Sequence, residues 1–138
     1  MANSMTFHFW PVPLDMLLYN ITIGIDKEVE VEWLEWMKKV HIPEVMRTKL
    51  FSDFKIYKVL HDDDETNTSY SVQYLAPSLD EVNVYFEKFA PLILEKLRLR
   101  FKDKHVAFMT LLEEVSWNFW RVNISKAVKN LLIFYYIR

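Results

Sequence analysis

The chain contains no cysteine, so disulfides, thiolate metal sites and cysteine nucleophiles are excluded from its chemistry. Glycine is almost missing too, with Gly24 standing alone among 138 residues. Walker-type and dinucleotide-binding loops need several positions without a side chain beside the phosphates, which sets those nucleotide-binding classes aside. Neither charge sign dominates, and a net charge of −2 argues against a nucleic-acid footprint. Lys96, Arg98, Arg100, Lys102 and Lys104 read instead as the solvated end of a helix. No run reaches the roughly 18 apolar residues of a membrane span, and residues 1–15 lack the basic start and apolar core of a secretory signal, so a cytoplasmic protein is expected. A Ser-His-Asp constellation, a nucleophile elbow and an H-E-x-x-H motif are all absent. No metal and no cofactor is implied.

What the chain has in quantity is apolar and aromatic side chains. With 51% of its residues hydrophobic, it can build one substantial core, and it is too short for two ordinary ones. Leu17–Asp26 alternates, Tyr19, Ile21, Ile23 and Ile25 falling on one face and Leu18, Asn20, Thr22 and Gly24 on the other, as in a strand with one oily side. On a helical wheel Val29, Trp33, Leu34, Trp36, Met37, Val40 and His41 share an arc of about 160°, opposite Glu32, Glu35, Lys38 and Lys39. Pro43 should push Ile42 out of the α region and kink or stop this helix, leaving His41 on its last turn. A helix end favours the imidazolium there and burial favours the neutral ring.

Residues 54–60 and 69–75 alternate again around the polar stretch 61–68, which reads as an antiparallel hairpin. Ser78-Leu-Asp-Glu81 is a capping box opening a helix with Val82, Tyr85, Phe86 and Phe89 at helical spacing, kinked at Pro91. Residues 105–115 read as a fourth strand, with Val106, Phe108 and Leu112 on the core face. The order β-α-β-β-α-β predicts an α+β, ferredoxin-like fold, with two helices on one face of a four-stranded antiparallel sheet. The other face would carry Asn20, Thr22, Tyr57, Val59, Ser71, Gln73, Ala107, Met109 and Leu111. That set is too apolar for open water and too polar for a sealed core, so a homodimer through the open sheet face is expected.

The segments MLLYNITIGID, EWLEWMKKVHIPEVMRTKLF, YSVQYLAPSLDEVNVYFEKFAP and HVAFMTLLEEV, in this order, resemble the uncharacterised bacterial family called domain of unknown function 4286, over residues 16–115. That resemblance implies a small domain without an assigned activity. A looser similarity of topology points to the dimeric α/β-barrel group, which includes cofactor-independent monooxygenases, stress-responsive domains and lactone isomerases. Residues 1–15 then read as an N-terminal extension or an upstream mis-start, and 116–138 as a basic, aromatic tail. Such a tail could pack across the domain, lie on an anionic membrane surface, or be unselected coding sequence.

His41 is the candidate general base, since it titrates near neutrality and could face the sheet beside Trp33 and strand residues such as Tyr19 and Tyr74. Its bland counterpart is a structural histidine at the helix break. Tyr19, Trp33, Tyr57, Gln73 and Tyr74 are the candidate ligand-binding residues, although aromatics at helical spacing are more often core, and Tyr57 and Gln73 serve equally as interface groups. Asp62, Asp63, Asp64 and Glu65 lack the glycine and bidentate glutamate of a calcium loop and read as a solvated turn. Two functions follow: a small dimeric protein that binds or transforms a small apolar molecule without a cofactor, or a non-catalytic dimeric interaction module.

Overall fold

The computed structural model describes residues 16–61 and 64–115. The readings made of the extension 1–15, of the tail 116–138 and of Asp62 and Asp63 in the acidic turn lie outside them. Four strands, β1 (Leu17–Asp26), β2 (Asp53–Lys58), β3 (Asn67–Ala76) and β4 (His105–Glu113), form one antiparallel sheet in the order β2-β3-β1-β4. The helices are α1 (Glu30–Trp36), α2 (Ile42–Arg47), α3 (Leu79–Lys88) and α4 (Ala90–Arg100). The fold is ferredoxin-like α+β, and the sheet is open rather than closed into a barrel.

Ile21, Ile23 and Ile25 of β1 and Val72 and Tyr74 of β3 are all at most 1% exposed on the helix-covered face. Each fully buried side chain of this size contributes about 1.5–3 kcal/mol, which makes the β1–β3 pair the centre of the core. Glu30, at the start of α1, is held to the sheet by the Tyr70 hydroxyl, which donates to its Oε1 at 2.5 Å.

The first helical segment departs from expectation at Pro43. Ile42 stays helical, at φ −61° and ψ −46°, and the chain runs on into α2. Between α1 and α2 lies a π turn, Met37–His41, in which the Ile42 N–H donates to the Met37 carbonyl five residues back. A π turn is wider than an α turn, so the carbonyl four residues before Pro43 is moved from under its ring. The same widening turns Val40 off the inward face, to 40% exposure, while Trp33, Met37 and His41 stay wholly buried.

The second helical segment also divides. Phe89, at φ −120° and ψ −41°, separates α3 from α4, and Pro91 sits in the first turn of α4, where its missing N–H costs nothing. Phe89 therefore faces outward at 37% exposure instead of continuing the buried stripe of Val82 and Tyr85. Ser78 caps α3, its Oγ accepting from the Asp80 N–H at 3.2 Å and donating to Glu81.

The register of β4 corrects the predicted open face. Met109 pairs with Ile21, Leu111 with Tyr19 and Ala107 with Ile23, so these three share the helix face. Val106, Phe108, Thr110 and Leu112 lie on the open one. Residues 106–112 are apolar at both parities save Thr110, and alternation within the strand cannot choose between the faces.

Across the open face the rows read Leu75–Leu18–Leu112, Gln73–Asn20–Thr110, Ser71–Thr22–Phe108 and Ser69–Gly24–Val106. A polar ladder runs up its middle. Gln73 Nε2 donates to Ser71 Oγ at 3.1 Å, Ser71 Oγ to Asn20 Oδ1 at 2.5 Å, and Asn20 Nδ2 to Thr22 Oγ1 at 3.2 Å. Apolar side chains flank it, with Val106 75%, Phe108 57% and Tyr57 47% exposed.

Candidate functional site

The fold sorts the six candidate residues into three places. Trp33 and His41 come from the first helical segment. Trp33 packs on Tyr70 with ring centroids 4.9 Å apart, and His41 on Trp36 at 5.6 Å. Tyr19 and Tyr74 stack on each other across β1 and β3 at 5.9 Å, and both pack on Phe51. Tyr57 and Gln73 lie on the far side of the sheet. Among the described residues no ring contact joins His41 to Tyr19 or Tyr74.

His41 is wholly buried and neither ring nitrogen has a hydrogen-bond partner among the described residues. Desolvation pushes its pKa down to about 4, against a weaker upward pull from Glu44. Burial thus prevails over the helix end, and the ring is neutral at pH 7.

The larger assembly gathers around Tyr19 and Tyr74. Tyr85 of α3 lies 5.7 Å from Tyr19 and 5.0 Å from Phe51, and Phe86 meets Tyr19 edge-on at 5.2 Å. Burial raises the pKa values of all three tyrosines far above the ordinary phenol; Tyr85 adds to the rise at Tyr19 and Tyr74, and Glu44 to that at Tyr85. The Tyr74 and Tyr85 hydroxyls are buried without a partner among the described residues, as is the Trp33 indole N–H. Tyr19 donates to Met109 Sδ at 3.0 Å. Glu44 is bound to Lys96 of α4 at 2.6 Å.

An unsatisfied buried polar group costs about 1–3 kcal/mol, and native interiors hold few of them. Here four aromatic residues carry five such atoms between helices and sheet. Tyr85 is legible in the sequence only as one position of a helical stripe. A tyrosine where phenylalanine would serve the packing was the available signal.

A polar cleft of about 670 Å³ opens at the other end of β1, lined by Gly24, Asp26, Asp64, Asn67, Lys104 and His105 among others. Asp64 there is tied into its own turn by Thr66 and Asn67, which hold its pKa near 2. No group of three or more metal-ligating side chains occurs among the described residues, and none of their helices is long and apolar enough to cross a membrane.

A family model described as Domain of unknown function (DUF4286) matches residues 16–115. No curated protein matches the chain in sequence. Among solved structures, an ethyl tert-butyl ether d (ethd) family protein from Bacillus halodurans superposes with a TM-score of 0.56 at 13% identity, covering 72% of this chain and 99% of its own. A candidate antibiotic biosynthesis monooxygenase from Bacillus cereus gives 0.53 at 10% identity, covering 75% and 97%. The de novo designed protein Foldit4 also gives 0.53, at 14% identity over 73% and 100%. At these identities the likeness is one of fold.

Proposed function

The chain belongs to the domain of unknown function (DUF4286) family, and from that premise we propose that it binds a small, mainly apolar molecule between its helices and its sheet, without a cofactor. The carrying observation is the pair of buried hydroxyls on Tyr74 and Tyr85, both packed on Phe51 and both without a hydrogen-bond partner among the described residues. A ligand that satisfies hydroxyls no neighbour satisfies repays a cost the empty fold bears. Two solved neighbours whose names suggest small-molecule chemistry use the same architecture. His41 is the residue on which transformation would turn, because a neutral imidazole keeps an acceptor nitrogen for a proton of any ligand that reaches it.

A small-molecule thermal-shift screen on the full chain tests the reading. A genuine ligand at a hundredfold excess over its Kd adds about 2.7 kcal/mol of stability, and the gain should shrink in Tyr74→Phe and Tyr85→Phe. A broad apolar and aromatic library that stabilises neither wild type nor variants rejects it. One observation favours the alternative, a non-catalytic dimeric interaction module: the His41 ring is wholly shut in against Trp36.

Either reading places a second copy on the open face. Its apolar flanks at Tyr57, Val106 and Phe108 gain by leaving water, and its polar ladder is already satisfied internally. At about 3.3 Å per residue and 4.8 Å per strand the face spans roughly 550 Å² before side-chain relief, near the ~800 Å² per partner of a standard interface. Phe108→Asp should turn a dimer into a 16.7 kDa monomer in size-exclusion light scattering. A wild-type chain already monomeric at micromolar concentration rules the dimer out.

A further inference from the structure

The two edges of the sheet are unlike. At one, β2 is six residues long and carries Asp53, Lys55 and Lys58, all exposed, and charge on a short edge strand keeps other strands from pairing with it. At the other edge, no described strand lies beyond β4. From Val106 to Leu112 that strand holds no charge, no proline and no glycine. It is uncovered on both faces: Val106 is 75% and Phe108 57% exposed on the open side, and Met109 is 51% exposed on the helix side beside exposed Ala107. A face-to-face contact on the open side covers the first two and leaves the others in water.

We propose that β4 pairs along its outer edge with β4 of a second copy, antiparallel and about a two-fold axis at Met109, so that two four-stranded sheets become one. The strand is complementary to itself in that register. His105 comes opposite Glu113 of the second copy, and Lys104, whose side chain stays 43% exposed beside Asp26 and Glu28, comes opposite its Glu114. Between these flanks Val106 meets Leu112, Ala107 meets Leu111 and Phe108 meets Thr110, a smaller side chain beside a larger one each time and always on the same side of the sheet. Moving the axis by one residue spoils the match. An axis at Phe108 sets Asp103 against Glu113, and one at Thr110 sets Glu113 and Glu114 against Ala107 and Val106. At ~3.4 Å per residue the paired edge is about 30 Å long. It is continuous with the open-face contact proposed above through Phe108, which stands on both, and Phe108→Asp therefore breaks both.

The chain has no cysteine, so a single introduced thiol reads the register. In the full chain Met109→Cys puts the thiol on the axis, facing its own counterpart. Ala107→Cys puts two thiols about 14 Å apart along the strands, beyond the reach of a disulfide. Under mild oxidation the first variant should form a linked dimer about tenfold faster than the second. A stack on the open face alone favours neither, since both side chains lie on the helix side. Met109→Lys sets two ammonium groups against each other at the axis and should halve the mass that light scattering gives for wild type. Equal cross-linking of the two cysteine variants, or a Met109→Lys assembly of wild-type mass, overturns the edge pairing and leaves the open-face contact standing. A wild-type monomer at micromolar concentration overturns both.

Discussion

Acidification from pH 7 to pH 4 is expected to cost the domain about 3 kcal/mol through His41 alone. The ring is held neutral in the fold, with its pKa lowered to about 4 by burial, whereas in the unfolded chain it titrates near 6.5. Between those values the unfolded state binds a proton that the folded state refuses, and each pH unit there removes about 1.4 kcal/mol. The stability is thus fully present above about pH 6.5 and lost as pH falls towards 4. Denaturant titrations of wild type and His41→Gln across this range measure it. Carboxylates whose pKa values are lowered in the fold, among them Glu30 and Glu81, lose their contribution on acidification in both proteins, so the difference between the two curves isolates His41. Parallel curves would mean that the ring is solvated in the native state, and the sealed environment described here would be wrong.

Tyr74→Phe and Tyr85→Phe are expected to stabilise the protein, by about 1–2 kcal/mol each. Removing a tyrosine hydroxyl ordinarily destabilises, because it breaks a hydrogen bond. Here each hydroxyl is buried and unpartnered among the described residues, so the substitution removes an unpaid desolvation cost and keeps the ring packing against Phe51. In a domain of this size 1 kcal/mol corresponds to a midpoint shift of roughly 4–8 °C. Thermal unfolding of the two single variants and the double variant is the measurement. A fall in midpoint of several degrees would show both hydroxyls to be well satisfied without any ligand, and the pocket would lose its main support. A rise accompanied by loss of ligand response is the familiar exchange of stability for function.

His41 illustrates how far the chain could be read before it was folded. Helical spacing alone placed the ring on the inward side with Trp33 and Met37, and the structure has it there. The segment does divide near Pro43, but Ile42 keeps helical angles, because the rule for the residue before proline assumes α geometry and a π turn supplies another solution. The β4 parity failed for a different reason. A strand apolar at nearly every position carries no information about which face is inward, and the face was chosen by pairing with Ile21 and Ile23 of β1.

The tyrosine cluster was legible only in fragments. Tyr19 and Tyr74 sat on the oily faces of two strands, Tyr85 on a helix stripe and Phe51 in a connection, four elements distant in sequence. Tyr57 and Gln73, candidates as well, lie on the opposite side of the sheet, where the alternation of their own strands puts them. Spacing within an element reports only on that element's own faces.

The sequence by itself determined the order of strands and helices, the buried face of β1, the capped start of α3 and the family, since each is written in local periodicity or contiguous motifs. The tertiary structure alone decided that His41 packs on Trp36 and not on Tyr19 or Tyr74, that the rings of Tyr19, Tyr74 and Tyr85 gather around Phe51, and that Phe108 rather than Met109 faces outward from the open side. Those outcomes depend on which surfaces meet across 50 to 90 residues of chain, and long-range pairing leaves no periodic trace in any one segment.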